Sequence, residues 1–250
     1  MTRLFTWLRR STLFSALLLV SVPAMAAASD AGHYRRCLAD AETNPAAALA
    51  DAESWIKSAG GVPAEHCAAV ALVTLKRYAE AGGRLDRIAG GQGKLDASFR
   101  VALFNQAGNA WLLAGDGTRA VQSFSGALAL SAGDADLFAD LARAQAMRHD
   151  WQEVVLDLNA ALQLAPRRAD LLVLRASARR ALKRYEDAKA DIEAALKLKP
   201  GDGDALVERG LLRRQLGDLG GARRDFQAAL KSSSGNAAAQ AKANLEDLTP

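Results

Sequence analysis

The chain has 250 residues, 50% of them hydrophobic but only 6% aromatic, and carries 32 basic against 28 acidic residues for a formal net charge of +4. Three of those basic residues, Arg3, Arg9 and Arg10, belong to an N-terminal leader; 32 less three leaves 29 against 28 acids, a net of about +1. A charge so close to balance lacks the positive footprint of a nucleic-acid binder, and a hydrophobic content dominated by Ala favours close-packed helices over a large aromatic-lined pocket.

In chain order, the leader comes first. Its three arginines precede an apolar run over 11–22, then Pro23 and the small-residue sequence Ala24-Met25-Ala26. This is the pattern of a cleavable secretory signal over residues 1–26, with Ala28 as the alternative cut; the run is too short for a spanning helix. A retained anchor is the competing reading. Arg9-Arg10 does not continue into a twin-arginine pattern, and no lipobox cysteine follows the run. The expected location is the periplasm, with no membrane span after cleavage.

Residues 31–93 read as one or two eroded helical repeats. A short helix is expected over 33–42, and a second over 46–58 with Pro45 in its first turn. A third is expected from Val62 to about Glu80. Arg84 to Ala89, flanked by Gly82-Gly83 and Gly90-Gly91-Gln92-Gly93, is the weakest helix and a candidate hinge. Gly90 to Lys94 is not a phosphate loop, because Leu95 follows Lys94 where Ser or Thr is needed.

From residue 102 onward a 34-residue period holds through four blocks, 102–135, 136–169, 170–203 and 204–235. Asp157, Asp191 and Asp225 share one phase; Ala127, Ala161, Ala195 and Ala229 share another, each followed by Leu. Apolar residues recur at three- and four-residue spacing in both halves of each block, the helix period. Punctuation in the middle comes from Gly115-Asp116, His149-Asp150 and Gly217-Asp218, and at the end from Pro166 and Pro200. Each block therefore reads as helix, tight turn, helix, stop. Residues 236–250 follow as a capping helix with a sparse apolar face of Ala241, Leu245 and Leu248.

The blocks resemble tetratricopeptide repeats. The resemblance rests on Phe104, Gly108, Trp111, Ala120, Phe124 and Ala127 in the first block, and on Phe138, Ala142, Leu158, Ala161 and Pro166 in the second. The third supplies Leu172, Ala176, Ala188, Ile192, Ala195 and Pro200; the fourth supplies Leu206, Gly210, Ala222, Phe226 and Ala229. Departures are Gln145, Arg179 and Arg213 at a position usually aromatic or aliphatic, and Val154 at a usually small one. The resemblance implies an all-α, right-handed superhelical solenoid of helix hairpins.

Cys37 and Cys67 fall in the first helices of consecutive N-terminal hairpins, which lie side by side in such a solenoid. With an oxidising compartment implied by the leader, a disulfide is the expected state. The rival is a zinc site using His33, Cys37, His66 and Cys67, disfavoured because neighbours on a helix point about 100° apart. No metal or cofactor is expected. Imidazole bases are limited to His33, His66 and His149, and no nucleophile motif is present, so no enzyme is expected. Glu153, Asp157, Glu186, Asp187 and Asp191 read as solvated helix faces.

By the resemblance, the first helix of each repeat lines the concave face. The candidate partner-binding residues are Asn105, Asn109, Leu112, Arg143, Met147, Ser177, Arg180, Leu211 and Arg214, a set that suits a peptide with some acidic groups. A carboxylate clamp is not expected, since Asp170 and Asp204 stand where cations would be wanted. The expected function is a non-enzymatic scaffold or assembly factor that binds a protein or peptide of the cell envelope. The alternative is a module that binds an extracytoplasmic glycan and acts with an envelope enzyme.

Overall fold

The structure, a computed structural model, describes residues 28–91 and 95–248. The leader with its cleavage site after Ala26, and Gln92 to Lys94 at the end of the glycine-rich stretch, lie outside the described residues. The helices are α1 (Ala28–Thr43), α2 (Pro45–Lys57), α3 (Gly61–Thr74), α4 (Tyr78–Gly90), α5 (Ala97–Ala114), α6 (Gly117–Leu130) and α7 (Ala135–Met147). They continue as α8 (Trp151–Leu164), α9 (Ala169–Ala181), α10 (Tyr185–Leu198), α11 (Gly203–Gln215), α12 (Leu219–Ser232) and α13 (Asn236–Glu246). Among the described residues there is no strand, and no helix is long and apolar enough to cross a membrane.

The described chain forms two compact units, residues 28–144 and 145–248, which divide inside α7. Within each unit the pattern is that of a helix-pair solenoid. Sequential helices pack on each other, and first helices of successive hairpins also touch: α1 with α3 in the first unit, α9 with α11 and α11 with α13 in the second. An amphipathic hairpin cannot bury its apolar stripe alone, so stacking on a neighbour supplies the core.

One turn recurs in five of the hairpins. Residues 76, 115, 149, 183 and 217 all have positive φ, filled by Lys76, Gly115, His149, Lys183 and Gly217. The next residue's N–H bonds back to the carbonyl five positions earlier: Arg77 to Leu72, Asp116 to Trp111, Asp150 to Gln145, Arg184 to Arg179 and Asp218 to Arg213, at 2.8–3.0 Å. This closes the first helix and starts the second at a fixed angle. Asp116 and Asp218 then cap the second helix by accepting from the N–H of Arg119 and Gly221.

The same turn corrects the expectation of one helix from Val62 to about Glu80. Lys76 in the left-handed region ends the first helix, so α3 stops at Thr74 and α4 begins at Tyr78. Nor is Arg84 to Ala89 an isolated weak helix. α4 runs unbroken through Gly82-Gly83, and a Cβ on Gly82 would lie 2.6 Å from the Trp111 indole. That glycine is a contact surface rather than a break.

The periodic small residues make the core. Ala127, Ala161, Ala195 and Ala229 are all fully buried, as are Phe124, Leu158, Ile192 and Phe226 three positions before each. In the second unit α13 lays Ala237 and Ala241 on the Phe226 cluster, with Leu245 and Leu248 at its edge. Cys37 and Cys67 are bonded, with Cα atoms 6.1 Å apart, and tie α1 to α3.

Candidate partner-binding face

In the first unit, α5 presents an amide ladder. Asn109 Nδ2 donates to Asn105 Oδ1 at 2.7 Å and to the Asn105 carbonyl at 3.0 Å. Both side chains are half-buried; Leu112 below them is 9% exposed and Leu113 is exposed. Such a ladder holds its carboxamides in a fixed orientation, the arrangement that meets the N–H and C=O groups of an extended backbone. Arg143, on α7 in the same unit, donates to Asp140 three residues earlier. Burial raises the Asp140 carboxyl, and Arg143 opposes that rise.

In the second unit, Ser177 and Arg180 lie on α9, and Leu211 and Arg214 on the adjacent α11. Leu211 is half-buried against the Phe226 cluster and Ser177 is half-buried. Arg180 is committed: both its Nε and Nη2 donate to Glu208 of α11, which is 1% exposed, and its Nη1 lies 3.5 Å from Gln215 Oε1. Arg214 lies 3.9 Å from Asp247. Met147 is half-buried at the end of α7. All three candidate arginines therefore face a carboxylate of their own chain.

Two polar features were not anticipated from the sequence. Asp191 and Asp225 are not solvated. Asp191 is 4% exposed and accepts from Arg175 at 2.6 and 2.9 Å and from Arg179 at 2.7 Å. Asp225, 34 residues on, is 3% exposed and accepts from Arg209 and Arg213, each at 2.7 Å. In these two repeats two first-helix arginines thus straddle one second-helix aspartate, an arrangement that fixes the hairpin. Glu153, Glu186 and Asp187 do lie exposed.

The second feature is a polar line across three first helices of the first unit. Tyr34 of α1 bonds His66 Nδ1 of α3 at 2.6 Å, and His66 Nε2 bonds Gln106 Oε1 of α5 at 2.9 Å. A neutral imidazole satisfies both bonds, one nitrogen accepting and the other donating. Burial pushes the His66 pKa down, with the Gln106 bond opposing, and burial raises Tyr34 to about 12.

These contacts also dispose of the zinc geometry. Both cysteine sulfurs are spent on the disulfide. His33 bonds Asp51 at 2.6 Å and stacks on Trp55, while His66 points to Tyr34 and Gln106. Among the described residues no group of three or more His, Cys, Asp or Glu is placed to hold a metal ion.

Residues 174–246 match the tetratricopeptide repeat family. No curated protein matches the chain in sequence. Solved structures do match in fold. MamA aligns at 19% identity over 66% of this chain and 93% of its own, with a TM-score of 0.57. YrrB, described as a tetratricopeptide-repeat protein with an unusual peptide-binding site, aligns at 16% identity over 74% of this chain and 91% of its own, TM-score 0.56. TTC0263, a thermophilic tetratricopeptide-repeat protein from Thermus thermophilus, aligns at 17% identity over 74% and 96%, TM-score 0.56.

Proposed function

Because this chain is a tetratricopeptide-repeat protein, we propose that it binds another protein or peptide through its first-helix faces and performs no chemistry of its own. The observation that carries this reading is the α5 ladder of Asn105 and Asn109 beside exposed Leu113. Oriented amides next to an apolar side chain fit an extended peptide. The peptide-binding site named for YrrB is in keeping with it. Intramolecular pairing of Arg143, Arg180 and Arg214 moves the weight of recognition from acidic groups to amide and apolar contacts. A glycan strand would call for aromatic platforms, and the candidate face consists of amides, aliphatics and paired arginines.

The leader pattern and the Cys37–Cys67 bond support a site of action in the periplasm, where a scaffold or assembly role in the cell envelope follows. The test is in-cell photo-crosslinking from Leu113, followed by titration of the purified partner against wild type and an Asn105→Ala, Leu113→Ala double variant. Binding weakened at least tenfold with unchanged helicity supports the reading. Equal binding by both removes α5 from the interface. A mature N-terminus other than Ala27 or Ser29 in an envelope extract removes the proposed cleavage.

A further inference from the structure

Gln145, at the end of α7, and Asp157, on α8, hold the phases that Arg179 and Asp191 hold one repeat later, and Arg213 and Asp225 two repeats later. In those later repeats the aspartate is satisfied by two arginines. Here the phase of Arg175 and Arg209 is Leu141, and the second arginine is Gln145. The Gln145 amide lies near enough to the Asp157 carboxylate to act on its pKa, as the phases they share with Arg179 and Asp191 require. Yet Gln145 Oε1 and Asp157 Oδ2 are both buried without a hydrogen-bond partner. Both orphaned atoms are acceptors, and turning the amide over cannot supply the missing donor.

A proton can. On a carboxylic acid, one oxygen becomes an O–H donor while the other still accepts, so acid and amide close a ring of two hydrogen bonds: O–H to Oε1, and Nε2–H to the remaining oxygen. We propose that the α7–α8 hairpin carries a proton-operated latch, in which protonated Asp157 pairs with Gln145 as an acid–amide ring. This goes beyond the binding reading and does not depend on it.

The surroundings favour the protonated form. Burial raises the Asp157 pKa to about 6; the nearby Gln145 amide opposes this, and Glu153 one turn earlier on α8 adds to it. Among the described residues no cation pairs with Asp157. From α9, Arg175 reaches α8 but is held by Asn159 at 2.7 Å and by Asp191. In the intervening turn, Arg148 and Asp150 pair with each other at 3.1 Å. Met147, a candidate face residue, lies two positions after Gln145, so the latch governs the order of that end of the first helix.

The test is hydrogen exchange, corrected for intrinsic rates, on the mature full chain at about pH 5 and about pH 7.5. At about pH 5, roughly one unit below the raised pKa, linkage limits the expected gain in protection to about tenfold over residues 145–164, and partial exposure lowers it further. Asp157→Asn provides a permanent donor and is expected to show equal protection at both pH values. A variant that keeps the wild-type pH difference, or a wild type that shows none, overturns the latch. If the variant fails to fold, the carboxyl carbon titration of Asp157 in the wild type decides: a midpoint near 6 supports the latch, and one near 4 overturns it.

Discussion

Arg180 of α9 and Glu208 of α11 form a buried ion pair between the first helices of successive repeats, their side chains 11% and 2% exposed. The position that the resemblance assigns to ligand contact is thus used to fasten one repeat to the next. Removing one partner of a buried pair strands the other charge, which costs more than the pair itself contributes. Arg180→Ala is expected to destabilise the chain by about 3 kcal/mol in urea unfolding, and Arg180→Lys to recover part of that. Arg214→Ala, 3.9 Å from an exposed Asp247, is expected to cost less than about 1 kcal/mol. Equal effects would mean that Glu208 finds another partner.

A second relationship is steric. A Cβ built on Gly210 would lie 2.5 Å from the ring of Phe226, and one on Gly108 would lie 2.6 Å from the ring of Phe124. Where the second helix supplies Leu158 or Ile192 instead of Phe, the first supplies Ala142 or Ala176. The two phases share one volume. Gly210→Ala alone is expected to cost about 1–3 kcal/mol through overpacking. In a Phe226→Leu background the same change is expected to cost much less. A double-mutant cycle that gives no coupling energy would show that Phe226 simply moves aside.

The shared volume and the hairpin turns were legible in the sequence because both repeat at a fixed spacing. The charge pairs were legible only in halves. Asp191 and Asp225 stood out as one phase, and Arg179 and Arg213 as departures from the family pattern. Neither half is interpretable alone, since a buried carboxylate needs its cation named. Gly82-Gly83 looked like a break because two glycines weaken a helix, while the Trp111 ring that requires the first of them lies 29 positions away. The Tyr34–His66–Gln106 line leaves no local signature, its partners being 32 and 40 residues apart.

The disulfide closes 30 residues of chain between α1 and α3. Loop-closure entropy assigns such a bond about 3–4 kcal/mol. Reduction is expected to lower the stability of the first unit by that order and to speed exchange in α1 to α3, leaving α9 to α13 unchanged. Comparing exchange with and without reductant checks it; protection in α1 to α3 that survives reduction would place the stabilisation in packing instead.

Lys183 holds a turn position at φ 61° that the first and fourth blocks fill with Gly115 and Gly217. Side chains other than glycine carry a steric cost in this region. Lys183→Gly is expected to stabilise the second unit by roughly 0.5–1 kcal/mol, the relief of strain exceeding the added freedom of the unfolded chain. Thermal unfolding reads this directly, and a lower melting temperature would show that the entropy term wins.

The two units are expected to respond to acid with opposite signs. His66 has its pKa lowered by burial, so below about pH 6.5 the unfolded chain takes up a proton that the folded one resists. The first unit therefore loses stability as pH falls from neutrality. Asp157 has its pKa raised to about 6 from 3.8, so in that window the folded chain holds the extra proton and the second unit gains stability as pH falls. Exchange between about pH 7.5 and pH 5.5 is expected to quicken in α1, α3 and α5. His66→Gln, which cannot be protonated, is expected to abolish that quickening while leaving the response of α8 intact. If the α1–α5 response survives the substitution, its source lies in another group, and the neutral imidazole between Tyr34 and Gln106 is not what acid disrupts.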